Sequence, residues 1–86
     1  MSKLEKLLLK LSSRPKNFTY TELSTLLVKL GYEEKKMGKT SGSRVAFVQI
    51  EKEHIIRLHK PHPGNELKRY QIDYVREELT RQGYIS

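Results

Sequence analysis

SRVAFVQIEKEHIIRLH, residues 43–59, holds two runs rich in β-branched and aromatic residues, SRVAFVQI (43–50) and HIIRLH (54–59), separated by EKE. Runs of this kind read as strands, with successive side chains on opposite faces. Alternation along the second run puts His54, Ile56 and Leu58 on one face and Ile55, Arg57 and His59 on the other, so His59 shares a polar side with Arg57. Upstream, YEEKKM (32–37) reads as a short, highly charged strand suited to a sheet edge, where lysines discourage pairing with other chains. The links GKTSG (38–42) and EKE are short, and antiparallel hairpins are the economical connection. A three-stranded antiparallel meander follows.

Helical signals flank this sheet. Leu4, Leu7, Leu8 and Leu11 fall at i, i+3, i+4 and i+7, with Lys3, Lys6 and Lys10 on other faces, and Pro15 closes the pattern. Thr19-Tyr20-Thr21-Glu22 reads as a capping box opening a second helix. Leu23, Leu26, Leu27 and Leu30 supply its buried stripe, and Gly31 is placed to end it in a left-handed conformation. Pro61, Pro63 and Gly64 in KPHPGN force an irregular loop, after which Ile72, Val75 and Leu79 again follow helical spacing up to Gly83. Tyr84 and Ile85 are positioned to fold back on that last helix. Phe47, Tyr70 and Tyr74 fit apolar periods and are expected in the core or at its rim. The expected fold is α+β, in the order α-α-β-β-β-α, with helices on one face of a three-stranded antiparallel sheet and the other face left wet.

The chain's 86 residues suit one thinly cored domain, 36% hydrophobic and 31% charged. With no cysteine, disulfides and thiolate metal sites are excluded. MSKLEKLLLKL is interrupted by Glu5, Lys6 and Lys10 and lacks a small-residue cleavage site, so it does not read as a secretory signal, and no run is long enough to cross a bilayer. The expected setting is the cytoplasm, with no membrane partner. The net charge of +7 calls for a polyanionic partner. Nearly all of the excess lies in residues 35–69, where nine basic residues (Lys35, Lys36, Lys39, Arg44, Lys52, Arg57, Lys60, Lys68 and Arg69) face three acidic ones. That distribution favours a basic binding face.

In KKMGKTSGSR, residues 35–44, lysines and an arginine supply charge, Ser41 and Ser43 supply hydroxyls, and glycines let backbone N–H groups approach an anion. It is not a Walker A loop, because the glycine-to-lysine spacing is wrong and no helix follows. His54, His59 and His62 lie within nine residues, but no acidic residue or cysteine stands among them at a recognised ligand spacing, so no metal is expected. Metal-free RNA cleavage needs a base for a 2′-hydroxyl proton, an acid for the leaving oxygen and cations for the phosphate. A histidine-bearing loop facing a basic hairpin can supply all three, although a structural role is the commoner one for each histidine.

Read together, a helix ending LGYEEKK, then GS-x-V-x-F entering a strand, then a strand leading to PHPGNELKRYQI, then a helix ending RQGYI resemble the HicA-type toxins. These are small messenger-RNA interferases of type II toxin–antitoxin modules. The likeness runs from about Tyr20 to Ile85 and implies a double-stranded-RNA-binding-like fold, RNA as substrate, a HicB-like antitoxin covering the active surface, and no small-molecule cofactor. It also implies that residues 1–18 form a helical extension on a core of residues 19–86. Family members usually carry the catalytic histidine directly after Gly-Ser, where this chain has Arg44. Arginine is a poor general base but clamps phosphate well. His62 matches a second position at which histidine is frequent in the family. The resemblance thus points to His62, or His59 beside it, for proton transfer. The basic stretch and the strand alternation nominate Lys36, Lys39, Ser41, Ser43, Arg44, Arg57, Lys60, Lys68 and Arg69 for RNA binding, with Arg44 and Lys60 on the phosphate. Two other readings stay open: a catalytically inactive RNA-binding relative, and a winged-helix DNA-binding module, since two helices before a β-hairpin also fit that design.

Overall fold

The computed structural model describes residues 2–36, 44–61 and 64–85. Helices α1 (Lys3–Ser12) and α2 (Tyr20–Lys29) precede strands β1 (Glu33–Lys36), β2 (Arg44–Gln49) and β3 (His54–His59), and helix α3 (Arg69–Arg81) follows. The sheet is antiparallel throughout, in the order β1-β2-β3. This is the α-α-β-β-β-α arrangement expected from the sequence.

Each helix begins and ends for a local reason. Ser2 Oγ accepts from the Glu5 N–H at 3.2 Å to start α1, which ends before Arg14 (φ +55) and Pro15. The capping box of α2 forms in full: the Glu22 N–H donates to Thr19 Oγ1 at 3.1 Å and the Thr19 N–H to Glu22 Oε1 at 3.0 Å. Gly31 ends α2 at φ +96, where an added Cβ would also press on Gln49 Nε2 at 3.1 Å. At the start of α3 only half a box forms. The Lys68 N–H donates to Gln71 Oε1 at 2.9 Å, while the lysine side chain has no acceptor to return.

The core lies between the sheet and the helices. Val45 and Phe47 of β2 and Ile56 and Leu58 of β3 meet Leu23, Leu26 and Leu27 of α2 and Ile72, Val75 and Leu79 of α3. Each such fully buried side chain contributes roughly 1.5–3 kcal/mol. Leu7 and Leu11 of α1 join the same cluster, and Tyr84 and Ile85 fold back onto it. Polar clasps hold α1 in place: Lys10 Nζ to Glu22 Oε2 at 2.8 Å, and Arg14 to both oxygens of Asp73 at 3.0 and 3.1 Å. Burial pushes the Glu22 carboxyl up, but the Lys10 ammonium and the Thr19 donors outweigh it and hold that carboxyl below the ordinary range.

Two sequence expectations change. The β2–β3 link is four residues, because β2 stops at Gln49, which pairs with His54. Glu53 takes a left-handed φ of +51 and its N–H closes the turn on Ile50 O at 3.1 Å, leaving Ile50 exposed. Tyr70 is neither core nor rim: it is 66% exposed, on the side of α3 away from the Ile72, Val75 and Leu79 stripe. Phe47 and Tyr74 keep the expected places, Phe47 fully buried and Tyr74 packed against the core.

Candidate nucleic-acid interface

Strand register determines what the face of the sheet away from the three helices presents. Val45 pairs with Leu58 and Phe47 with Ile56, which puts these residues on the core side, so the intervening pairs lie on the outer side. Arg44 pairs with His59 at one end of that outer face, Ala46 stands between Lys35 and Arg57 in the next row, and Val48 stands between Glu33 and Ile55 in the third. Directly paired residues have Cβ atoms about 4.5–5.5 Å apart. The first two rows therefore gather two guanidinium groups, an ammonium and an imidazole on one exposed surface. Ala46, at the centre of these rows, is itself buried.

The β3 edge beside this surface is fixed by α3. The Arg57 N–H donates to the Tyr74 hydroxyl at 3.2 Å, and Gln71, itself buried, donates from Nε2 to His59 O at 2.8 Å. These bonds occupy edge groups that would otherwise invite another strand. They also fix the backbone from which Arg57 and His59 project.

The sequence candidates divide accordingly. Arg44, Arg57 and His59 share the outer face, while Lys68 and Arg69 are exposed at the start of α3. Lys36 pairs with Val45 and so belongs to the core-side register, although its side chain is exposed at the sheet edge. Lys60 turns its ammonium over the Tyr20 ring, 5.4 Å from the centroid, on the helix side of the sheet. Lys39, Ser41, Ser43 and His62 lie outside the described residues. Lys35 is the outer-face lysine of β1; strand alternation counted from the β2 register identifies it, whereas the charge run alone does not separate it from Lys36.

His54 stands apart from His59. Its Nδ1 is hydrogen-bonded to the Tyr32 hydroxyl at 2.5 Å and its Nε2 to Glu78 Oε1 at 3.0 Å, with both partners on the helix side of the sheet. Gln49 reinforces this corner by donating to Leu30 O at 2.6 Å and to the Tyr84 hydroxyl at 2.7 Å. Burial pushes the Tyr32 hydroxyl up to about 12, with Tyr84 and Glu78 adding to the effect, so it stays a neutral phenol at physiological pH. The structural reading of His54 accounts for all of this. Among the described residues, no group of three or more histidine, cysteine or acidic side chains is arranged to hold a metal ion, and no helix is long and apolar enough to cross a membrane.

Comparison with known families adds one finding: the model of a family described as the HicA toxin of bacterial toxin-antitoxin matches residues 20–79. The match takes in α2, the whole sheet and most of α3, and begins after α1. No curated protein and no solved structure matches the chain.

Proposed function

The chain belongs to the HicA toxin family of bacterial toxin–antitoxin systems, and from that membership we propose that it binds RNA on the outer sheet face, cleaves it without metal, and is neutralised by a HicB-like antitoxin. The observation that carries this reading is the register that sets Arg44 against His59 and places Lys35 and Arg57 in the next row. A phosphodiester laid along those rows meets cations on both sides and an imidazole at its end. In the proposed reaction the 2′-oxygen attacks the adjacent phosphorus as its proton passes to a histidine. The P–O5′ bond then breaks as an acid protonates the leaving oxygen, giving a 2′,3′-cyclic phosphate and a 5′-hydroxyl.

His59 and His62 are the proposed proton carriers. Arg44 and Arg57 steady the phosphate as charge develops. Lys35 joins them, and Lys68 and Arg69 extend the basic track past the β3 edge. Lys60, engaged with Tyr20, is assigned a stabilising role instead. One observation favours a second reading, an inactive RNA-binding relative: Arg44 occupies the position after Gly-Ser where the family's catalytic histidine usually stands. The winged-helix alternative draws no support from the family match.

Incubating the purified protein in excess over single-stranded RNA with a chelator separates these readings. Fragments with 5′-hydroxyl ends are the expected result, and intact RNA with binding retained would leave the inactive relative. For the partner, the expected observation is that a neighbouring reading frame encodes a small acidic protein whose co-expression relieves growth arrest. Unrelieved arrest would contradict that assignment.

A further inference from the structure

Beside the basic rows, between the outer edge of β3 and the first turns of α3, lies an open cavity of about 320 Å³ lined by Arg57, Leu58, His59, Tyr70, Gln71 and Tyr74. That volume falls in the range of sites that hold small organic groups, about 300–1,000 Å³. We infer that this cavity receives one unpaired nucleobase of the bound RNA, stacked on the ring of Tyr70. The inference rests on the RNA-binding reading above and adds a base-holding subsite to it.

Four features support that occupant. Tyr70 and Tyr74 lie four residues apart and so on the same side of α3, presenting two rings to the cavity. Tyr74 is the fixed wall, held by the Arg57 N–H at 3.2 Å. Tyr70 is the accessible one, 66% exposed although a tyrosine ring gains by burial. Finally, apart from the two tyrosine hydroxyls the ionisable lining consists of Arg57 and His59, with Lys68 and Arg69 preceding Tyr70 in the chain and no carboxylate among the lining residues. An apolar protein side chain would fill the space without using those charges. A nucleotide uses both, stacking its base while its phosphates lie on Arg57 and the adjoining row. Stacking tolerates any base but requires one that is unpaired, so the subsite selects single-stranded over duplex RNA.

The test compares the full chain with Tyr70→Ala and Tyr70→Phe by fluorescence anisotropy. The ligands are a short 2′-O-methyl oligouridylate, which lacks the attacking hydroxyl and stays intact, and an abasic oligomer of equal length and charge. Wild type and Tyr70→Phe are expected to bind the oligouridylate about tenfold more tightly than Tyr70→Ala, with all three alike on the abasic oligomer. Oligouridylate affinity unchanged in Tyr70→Ala, with wild type still binding, would overturn the base subsite and leave the RNA-binding face standing. An equal loss on both oligomers would also overturn it, since that pattern reports phosphate binding. Wild type that binds neither oligomer would overturn the RNA-binding face and the subsite together.

Discussion

Arg44 and His59 form the outermost described pair of β2 and β3, and their chemistry divides the labour between them. A guanidinium stays charged at every working pH, so Arg44 can hold a phosphate but cannot accept its neighbour's proton. Proton transfer is left to His59 and His62. Arg44→His is therefore expected to lower RNA cleavage by about tenfold or more, because it removes the fixed cation that steadies the phosphate, and to weaken RNA binding. The check is single-turnover cleavage alongside binding, and unchanged cleavage would show that the position does not face the reacting bond. Tyr32 makes a prediction on stability. Its hydroxyl ionises near 12 in the fold, against about 10 in an unfolded chain, so the stability gained from keeping it neutral is intact below about pH 10. That gain is lost as pH rises through about 12. Denaturation midpoints of wild type and Tyr32→Phe, compared from about pH 9 upward, should converge with rising pH; a constant gap would contradict the assignment.

Helix α1 lies outside the segment matched by the family, yet Leu11 is fully buried in the common core and Arg14 reaches Asp73 on α3. We propose that this helical extension is integral to the fold of the whole chain. Leu11→Ala should cost about 2–5 kcal/mol, read as a lowered urea midpoint with an unchanged slope. A loss below about 1 kcal/mol would show α1 to be a detachable appendage. The elements that proved legible in the sequence are those whose signals are local. The Thr19–Glu22 box and Gly31 marked both ends of α2, and alternation in HIIRLH located β3 and sorted Arg57 and His59 to the exposed face. What escaped depended on contacts between elements. The left-handed Glu53 shortened β2 by pairing Gln49 with His54, and only the β1–β2 register separates Lys35 from Lys36. Tyr70 departs from expectation for a different reason: its spacing from Tyr74 is helical, but both stand off the Ile72, Val75 and Leu79 stripe, and Tyr74 is held by the Arg57 N–H of β3 while Tyr70 stays exposed.

Across the whole molecule, the helices take one side of the sheet and leave the other divided along its length. Lys35, Arg44, Arg57 and His59 crowd one end, while Val48 and Ile55 occupy the other with Glu33 beside them. A net charge of +7 would draw RNA to any part of a uniformly basic surface. In the proposed reading one face of the sheet does the binding. Arg57→Glu and Lys36→Glu test it most directly, because each reverses one exposed charge on the same sheet and so lowers the net charge equally. The measurement is the affinity of each variant for single-stranded RNA across a salt series. Arg57→Glu is expected to lose about tenfold or more and to lower the salt slope by about 1, while Lys36→Glu is expected to stay within about twofold of wild type. Equal losses in the two variants would contradict that reading.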